Sequence, residues 1–337
     1  MASSLPLISR RQSFQSALHG WYRVHHRKLP WRDAPSLYQT VVSEFMLQQT
    51  QVATVLPYFG RWLRALPDFA ALAAAPEAKV MKLWEGLGYY SRARNLHKLA
   101  QAYVAAPAKP RTPAEWRDLP GIGPYTAAAI TSMAFGEPAA CVDGNVVRIL
   151  ARLTRDGRLF RNGSEAANHF MPLAGALIAG ADPGEHNQAM MELGATVCLR
   201  AKPLCPACPV AAFCAARRHG LPEKLPRFRP KRTERMCVIR TFCLDRRRLL
   251  LRRGQAKAKR LAGLHELPEA ADLGIKPAAN SLVATKRRTI TRFHITESIH
   301  AVKPTATLRK RVAQDVALAW VPLRATASST QMKPASN

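Results

Sequence analysis

The first two-thirds of the chain carry apolar residues at the spacing of amphipathic helices. Phe14, Leu18, Trp21 and Tyr22 follow the i, i+4, i+7, i+8 pattern, which puts side chains on one helix face. Glycines and prolines divide this pattern into segments, so residues 11–226 are predicted to be helical with few strands. Further predicted helices span 38–48, 52–66, 91–105, 124–135, 145–153 and 185–197.

The pattern changes near residue 217. Residues 217–260 contain seventeen Lys and Arg against three Asp and Glu, and the proline-rich LPEKLPRFRPKR within them is typical of a linker. The segments that follow carry β-branched residues in partial alternation, which is typical of strands. They are MCVIRTFCLD, RRLLLRRG, RRTITRFHITESIHAV and VALAWVPL. A small mixed α/β domain is therefore predicted after the linker.

These boundaries predict two domains in 337 residues. The first is a mainly α domain over 1–226, followed by a basic, Pro-rich linker over 227–235. The second is the α/β domain over 236–325. We expect the remaining tail, 326–337, to be disordered.

The charge of the chain points to a polyanionic partner. Lys and Arg number 51 against 22 Asp and Glu, which leaves a formal charge of +29. Nucleic acid is favoured over an anionic membrane, because no run of about 18 apolar residues is present to span a bilayer. The opening MASSLPLISRRQ also lacks an apolar core of signal-peptide length. We therefore expect a cytoplasmic, DNA-associated protein with no membrane partner.

Four of the seven cysteines are closely spaced along the chain. Cys198, Cys205, Cys208 and Cys214 form a Cys-X6-Cys-X2-Cys-X5-Cys pattern. Structural disulfides are rare in a reducing compartment, so four soft ligands indicate a metal centre. Zinc and a [4Fe–4S] cluster both fit this spacing, although zinc sites more often pair two short C-x-x-C motifs. We expect Cys141, Cys237 and Cys243 to act as small buried hydrophobic residues.

A glycine-rich hairpin precedes the predicted helix at 124–135. In LPGIGPYTA, Gly121 and Gly123 let the backbone approach a ligand, and the amides at a helix start can bind an anion. An ordinary turn between two helices is the alternative interpretation. Beside the basic charge and the cysteine motif, the hairpin favours binding of a DNA phosphate.

Two carboxylates are candidates for acid–base chemistry. Glu44 lies among Val41, Val42, Phe45, Met46 and Leu47, where partial burial would raise its pKa and suit it to donate a proton. Asp143 precedes a predicted helix, where it could serve as the N-cap and still face a substrate cation. Such a pair suits glycoside cleavage, in which one acid protonates the leaving group and a carboxylate stabilises an oxocarbenium-like centre.

Several motifs together resemble the adenine DNA glycosylases of the MutY type, within the endonuclease III superfamily of helix-hairpin-helix glycosylases. They fall in family order over about two-thirds of the chain. The motifs are LPWR, SEFMLQQTQVATVLPYF, LWEGLGYYSRARNLHKLA, LPGIGPYTA, VDGNVVRIL, HNQAMMELGATVC and the cysteine loop. The resemblance implies a six-helix lobe at about 35–143, and a cluster lobe from 1–34 and 144–226 with a [4Fe–4S] cofactor on Cys198, Cys205, Cys208 and Cys214.

The resemblance also implies roles for individual residues. Glu44 would protonate the adenine, Asp143 would stabilise the cation that develops on deoxyribose, and Tyr125 and Asn145 would support them. Because the adenine has to leave the duplex, other residues would hold the flipped base and fill the gap. Gln49 and Tyr89 would be wedges, and Gln48 would lie beside the opposite strand. The adenine pocket would be lined by Trp31, Arg32, Leu47 and Gln188.

One departure from relatives refines this expectation. Endonuclease III-type enzymes that cut the backbone have a lysine where this chain has Tyr125, so base removal without strong strand cleavage is implied. Adenine opposite 8-oxoguanine or guanine in double-stranded DNA would be the substrate, and we expect a monomer.

The C-terminal domain would be an inactive, Nudix-like domain that reads the opposite base. Its LAGLHELP segment has His265 where relatives have tryptophan. In the loop that contacts the oxidised base, Ile290-Thr291-Arg292 replaces Phe-Ser-His, and Thr291 retains a hydroxyl.

Two rival hypotheses remain at this level. A glycosylase for pyrimidines or T:G mismatches could share the scaffold. A zinc-loop DNA-binding protein, in which Glu44 and Asp143 are structural, would not be an enzyme.

Overall fold

The helix signals in the first two-thirds of the chain correspond to helices in the computed structural model. The structure describes residues 5–33, 35–220, 222–230, 232–254, 265–290 and 292–323. Three earlier predictions concern residues outside these ranges: the contact by Thr291, the first part of the LAGLHELP segment and the disordered tail. Two compact units are formed, Met1–Arg229 and Pro230–Asn337.

The first unit is helical, and its six longer predicted helices begin and end within two residues of the predicted bounds. In chain order the helices are α1 (Leu5–Ser9), α2 (Arg11–His25), α3 (Leu37–Leu47), α4 (Val52–Ala65), α5 (Phe69–Ala74), α6 (Glu77–Trp84), α7 (Ser91–Ala105), α8 (Pro113–Arg117), α9 (Pro124–Phe135), α10 (Gly144–Thr154), α11 (Gly163–Ile178), α12 (Pro183–Thr196) and α13 (Ala215–Arg218).

Local capping explains where several of these helices begin. Ser36 and Thr112 form capping boxes with Gln39 and Glu115 at the starts of α3 and α8. Each pair satisfies backbone donors that the first turn of a helix leaves without partners. Asp143 caps α10 in the same way through its side chain.

The first unit contains a small core at Ala128, Ala129 and Cys141, and two large hydrophobic cores. One is drawn from residues 29–135 and includes Trp62, Trp84 and Trp116, which are fully buried. The other is drawn from residues 7–22 and 142–225. Helices α9 and α12 contact each other, so the start of α9 and the N-terminus of α10 lie where the two cores meet.

The second unit is a small α/β unit, as the strand signals predicted. Its elements are β3 (Glu234–Phe242), β4 (Leu244–Asp245), β5 (Arg248–Arg253), β6 (His265–Glu266), β7 (Leu282–Ile290), β8 (Phe293–Ala301), α14 (Ala306–Gln314) and β9 (Leu318–Pro322). They follow β1 (Leu159–Phe160) and β2 (Arg227–Phe228) of the first unit.

Two sheets make up the second unit. In one, β8 lies between β3, to which it is parallel, and β7, to which it is antiparallel. In the other, β5 pairs with β4, β6 and β9. A core that includes Leu250, Leu273 and Leu308 packs α14 against this second sheet.

The structure departs from the predicted boundary between the units. Strand β2 pairs in parallel with β1, and the backbone N–H of Arg229 donates to the carbonyl of Phe160. Residues 227–229, which were predicted to be linker, therefore pair with the helical unit. Short strands such as these carry no periodicity that a sequence pattern could reveal.

Candidate active site

Glu44, Tyr125 and Asp143 come together from three different helices. Glu44 lies in the last turns of α3, Tyr125 is the second residue of α9, and Asp143 immediately precedes α10. The Tyr125 hydroxyl donates to the Met191 Sδ at 2.9 Å. It lies close enough to Glu44 to lower the pKa of that carboxyl group, whereas the Asp143 charge raises it.

Burial changes the acidity of Glu44. Only 7% of this residue is exposed. Removal from water raises the pKa of Glu44 from 4.5 to about 7, and the nearby Asp143 adds to this rise, while Tyr125 and Arg32 oppose it. A carboxyl group with this pKa retains its proton in a large fraction of molecules near neutral pH. It can therefore donate that proton to a bound base.

The Asp143 carboxylate is held in a fixed orientation. Its Oδ1 accepts hydrogen bonds from the backbone N–H groups of Asn145 and Val146 at 2.9 and 2.8 Å. Its Oδ2 accepts from Asn145 Nδ2 at 2.9 Å. Burial raises the pKa of Asp143, and these three bonds act in the opposite direction by favouring the ionised form. The residue thus caps a helix and remains available to stabilise a cation.

A chain of hydrogen bonds connects this carboxylate to the cysteine loop. Arg148 Nη2 donates to the Asn145 Oδ1 and to the carbonyl of Gly194, each at 2.8 Å. Its Nε donates to the carbonyl of Cys198 at 2.7 Å. Arg148 therefore joins the residue that orients Asp143 to the first cysteine of the loop.

The four cysteines of the motif line a single cavity, together with Arg152 and Arg217. Burial raises the pKa of the Cys208 thiol to about 11, and its three cysteine neighbours add to the rise. Thiols this close would lose their protons on binding a cationic centre, whose charge balances theirs. Among the residues that the structure describes, no group of three or more His, Cys, Asp or Glu side chains is arranged to hold a metal ion. Four cysteines are nevertheless the donor set that a [4Fe–4S] cluster takes.

Arg152 forms hydrogen bonds to the cysteine loop. It is 2% exposed, and its Nη1 lies 3.3 Å from the Cys198 Sγ and donates to the carbonyl of Leu199 at 2.7 Å. Its Nη2 and Nε donate to the carbonyls of Arg200 and Leu225. A buried guanidinium is stable here because each of its nitrogens has an acceptor.

Two of the predicted pocket residues are held by partners that the sequence analysis did not select. The Tyr22 hydroxyl donates to the Gln188 Oε1 at 2.6 Å, which leaves the amide nitrogen of Gln188 as a free donor group. Arg32 Nη2 donates to the Glu192 Oε2 at 2.8 Å. Burial alone would raise the pKa of Glu192, but hydrogen bonds from Arg27 and Arg32 outweigh it and lower this pKa to about 2.

The other predicted substrate-binding residues near α3 lie before it or at its end. Trp31 is buried, and its ring packs edge-on against Phe59 at 5.1 Å, so its indole belongs to the core. Leu47 ends α3 and packs at the margin of that core. Gln48 follows it, and its Nε2 donates to the Thr126 Oγ1 at 3.3 Å.

The hairpin glycines meet different requirements. Gly121 has φ of 81°, and a Cβ on it would lie 2.7 Å from the Cβ of Asn95 and 3.0 Å from the ring of Phe45. Glycine is therefore required at position 121 by both conformation and space. Gly123 precedes α9, and a Cβ on it would meet nothing within 4 Å. Its open surroundings leave the amides at the start of α9 accessible to an anion.

Both predicted wedges have an uncommon backbone conformation. Gln49 has φ of 56° and Tyr89 has φ of 48°, in the left-handed region that non-glycine residues seldom adopt. Both are exposed, and Tyr89 retains 58% of its accessible surface. Such conformations cluster at functional sites, where neighbouring residues hold them in place.

Sequence reasoning missed Tyr22, Arg92, Arg148, Arg152 and Glu192. Glu192 and Arg152 each interrupt an apolar run, which is the signal that selected Glu44, and it could have identified them. Arg148 interrupts the apolar run VVRIL and could have been found in the same way. Arg92 carried no such signal, because its partners are mostly carbonyl groups brought near it by the fold.

Comparison with known proteins identifies the class. The HhH-GPD superfamily base excision DNA repair protein family matches residues 42–168, a range that contains Glu44, Tyr125 and Asp143. The fold is similar to that of a thermostable thymine-DNA glycosylase, with a TM-score of 0.56 and 26% identity, over 63% of this chain and 98% of that one. The helical unit is therefore a helix-hairpin-helix glycosylase fold.

Relatives then identify the family. The chain is 44% identical to the adenine DNA glycosylase of Mus musculus over 215 residues, which are 60% of this chain and 42% of that protein. It is 38% identical to the adenine DNA glycosylase of Mycobacterium tuberculosis over 209 residues, which are 61% of this chain and 68% of that protein. The chain belongs to the adenine DNA glycosylase family. The matched region spans less than half the length of the mouse protein.

Proposed function

We propose that this chain is a monofunctional DNA glycosylase that removes adenine mispaired with 8-oxoguanine or guanine. The observation that carries this proposal is the Glu44 carboxyl group, which is buried with a pKa of about 7 beside the oriented Asp143 carboxylate. Membership in the adenine DNA glycosylase family supports the choice of base. A surplus of positive charge supports double-stranded DNA as the partner.

The two carboxyl groups have different roles in the proposed reaction. The adenine leaves the duplex and enters the pocket lined by Arg32 and Gln188. Glu44 donates its proton to the adenine ring, the N-glycosidic bond breaks, and its electron pair leaves with the base. The Asp143 carboxylate stabilises the cation on deoxyribose until the oxygen of a water molecule bonds to that carbon. The proton that this water loses restores Glu44.

One assay tests the proposal directly. Duplexes containing A:8-oxoguanine, A:G and T:G pairs are incubated with the protein, and free base and strand breaks are measured with and without alkali. We expect adenine from the first two duplexes, with strand breaks appearing only after alkali. Release of thymine from T:G would instead assign the chain to mismatched pyrimidines. Binding without release of any base would contradict glycosylase activity.

Tyr125 leads to a prediction about the reaction intermediate. A phenol cannot form a Schiff base with the sugar, so borohydride should trap less than a few per cent of the enzyme on DNA. Tyr125→Lys is the matched control, because it places an amine at this position and should give a trapped band. A strong band from the unaltered enzyme, mapping to a lysine near the hairpin, would show that the enzyme is bifunctional.

We propose that Cys198, Cys205, Cys208 and Cys214 hold a [4Fe–4S] cluster. Such a cluster would stabilise the loop that Arg148 and Arg152 connect to the helical core. It would supply no step in breaking the glycosidic bond. The closed set of four thiols and their shared cavity support this proposal.

Metal analysis of the purified protein checks the cofactor. Protein prepared without oxygen should contain about four iron and four sulfide per chain, and Cys208→Ser should lower both. Cys237 was predicted to be buried, but the structure shows that it is exposed. It serves as the control, because Cys237→Ser should leave the iron content unchanged. Stoichiometric zinc without iron would support the rival zinc-loop protein.

We further propose that the second unit is Nudix-like and reads the base opposite adenine, with Thr291 as one contact. Its one mixed and one antiparallel sheet and its many basic residues are compatible with this role. We expect the enzyme to act as a monomer in the cytoplasm. In the described ranges, no helix is both long and apolar enough to cross a membrane.

Truncation after Arg229 tests this role. The remaining unit should still cleave A:G but lose much of its preference for A:8-oxoguanine. Because lost basic residues weaken binding to every duplex, the informative quantity is the ratio of the two rates at one salt concentration. Thr291→Ala in the full chain should cost about 0.5–1.5 kcal/mol on 8-oxoguanine and nothing on guanine. Unchanged ratios in both proteins would contradict a reading role.

A further inference from the structure

A single buried arginine, Arg92, holds both loops that carry the exposed wedge residues. Arg92 is the second residue of α7 and is 6% exposed. Its Nη1 lies within hydrogen-bonding distance of three carbonyls at the end of α3, and its Nη2 lies within that distance of three acceptors on the two loops. Each nitrogen has two hydrogens, so some of these bonds share a hydrogen. The Nη1 acceptors are Phe45 at 3.0 Å, Met46 at 2.8 Å and Gln48 at 2.5 Å. The Nη2 acceptors are the Thr50 Oγ1 at 3.0 Å, Leu87 at 3.2 Å and Gly88 at 3.2 Å.

The acceptors flank both wedge positions. Gln48 and Thr50 are the neighbours of Gln49 on one loop, and Gly88 directly precedes Tyr89 on the other. The guanidinium also contacts the wedge itself, because its Cζ lies 5.4 Å from the centre of the Tyr89 ring. On the inner side it lies 5.3 Å from the ring of the buried Trp84, which anchors it to the core.

This geometry accounts for the uncommon backbone at both positions. Left-handed φ values at Gln49 and Tyr89 persist only where surrounding contacts impose them. Bonds to the carbonyl of Gln48 and the hydroxyl of Thr50 fix the backbone on either side of Gln49. Bonds to the carbonyls of Leu87 and Gly88 fix the approach to Tyr89. One planar group therefore contacts both loops beside the two left-handed residues.

We propose that Arg92 is a positioning residue for base extrusion, which presents Gln49 and Tyr89 to the duplex as one rigid pair. This inference rests on the proposed function, because the two residues act as wedges only if a base leaves the duplex. A rigid pair can fill the gap at the moment when the adenine unstacks, whereas two independent loops would have to become ordered during that step. Lysine cannot replace Arg92, since an ammonium group lacks the planar fork that spans both loops.

Arg92→Lys tests this role, with Arg94→Lys as the matched control. Arg94 lies on the same helix and pairs with Glu77 at the surface. Base extrusion is followed by the fluorescence of 2-aminopurine placed beside the target adenine, and adenine release is followed under single-turnover conditions. We expect Arg92→Lys to slow both by about ten- to a hundredfold, the range typical of misplaced groups. Arg94→Lys should remain within twofold of the unaltered enzyme.

A double-mutant comparison separates positioning from a general effect on structure. In the Gln49→Ala, Tyr89→Ala background there is no wedge to position, so Arg92→Lys should change extrusion by less than twofold. An equal effect in both backgrounds would overturn the proposal, as would unchanged extrusion in the single variant. Should Arg92→Lys fail to fold, Thr50→Val, which removes one acceptor hydroxyl, should slow extrusion more than it lowers stability. If Thr50→Val folds and leaves extrusion unchanged, the proposal is overturned.

The unaltered enzyme distinguishes this proposal from the function on which it rests. If the enzyme releases no adenine from any duplex, the proposed glycosylase activity fails. If it releases adenine normally while Arg92→Lys extrudes the base as fast as the unaltered enzyme, only the role of Arg92 fails.

Discussion

Glu44→Gln is expected to abolish adenine release while binding to duplex DNA survives. The substitution keeps the shape of the side chain and removes the only proton that Glu44 can donate. General acids contribute about 10²–10⁴-fold to a rate, so single-turnover adenine release should fall by at least that factor. Near-normal release would remove Glu44 from the mechanism. Asp68→Asn on the surface of the same unit is a control that changes charge away from the site.

The same residue gives the enzyme a predicted pH dependence. Because the pKa of Glu44 is about 7, the protonated form is present below pH 7 and is lost as the pH rises above it. The single-turnover rate should therefore decline between pH 6 and 8, and this decline should be absent from the residual activity of Glu44→Gln. A rate that stays constant across this range would place the pKa of Glu44 well outside it.

Glu44 is also expected to reduce the stability of the unbound protein. A pKa of about 7 in the folded chain, against 4.5 when unfolded, means that the folded state binds the proton more tightly. The resulting stability is fully present below pH 4.5 and is lost as the pH rises through 7, by up to about 3 kcal/mol. Glu44→Gln should therefore resist urea better than the unaltered protein at pH 8, with a smaller difference at pH 5.

Asp143→Asn is expected to lower adenine release on the order of a hundredfold or more while the protein remains folded. Asparagine caps helices about as well as aspartate, so α10 keeps its start. The substitution removes the negative charge that would face the cation in the proposed reaction, and such electrostatic contributions are often the largest in a site. Single-turnover rates and circular dichroism, measured on the same preparation, separate loss of catalysis from loss of structure.

Asp182→Asn is the matched control for this prediction. Asp182 caps α12, where its side chain accepts from the backbone N–H of Glu185 at 2.7 Å, and it is exposed. The same change there should leave the rate within twofold. If Asp143→Asn unfolds the protein and Asp182→Asn does not, the cap at Asp143 is structurally essential and its catalytic role stays untested by this variant. In that case Asp143→Glu, which keeps the charge but displaces it, should fold and show a reduced rate.

The sequence identified several residues of the candidate site by type but could not supply their geometry. Glu44 was selected because burying a charged side chain within an apolar run costs free energy, so its presence there indicates a function. Its actual acidity depends on Asp143 and Tyr125, which lie far along the chain, and on burial by α9. No local pattern contains that information. Motifs shared with a known family reduced the number of candidate site residues, because the fold of that family brings the motif residues together.

The hydrogen-bond partners of the selected residues could not be predicted from the sequence. Gln188 and Arg32 were expected in the pocket, but the groups that orient them, Tyr22 and Glu192, are far from each other in the sequence and meet only because α2 packs against α12. No sequence pattern identified Arg92 as a functional residue. Its acceptors are mostly backbone carbonyls, and because every residue has a carbonyl, they leave no mark in the sequence. Only the packing of α7 against α3 brings these carbonyls to a single guanidinium.

The sequence by itself determined the helices, the α/β character of the second unit and the family. Helix signals act within one or two turns, through apolar spacing and through caps such as Ser36 and Asp143, so they can be read locally. Tertiary structure alone decided the pKa of Glu44, the left-handed backbone at Gln49 and Tyr89, and the hydrogen bonds from Arg92 to both loops. These properties depend on desolvation and on hydrogen bonds between distant segments, which exist only after the chain has folded.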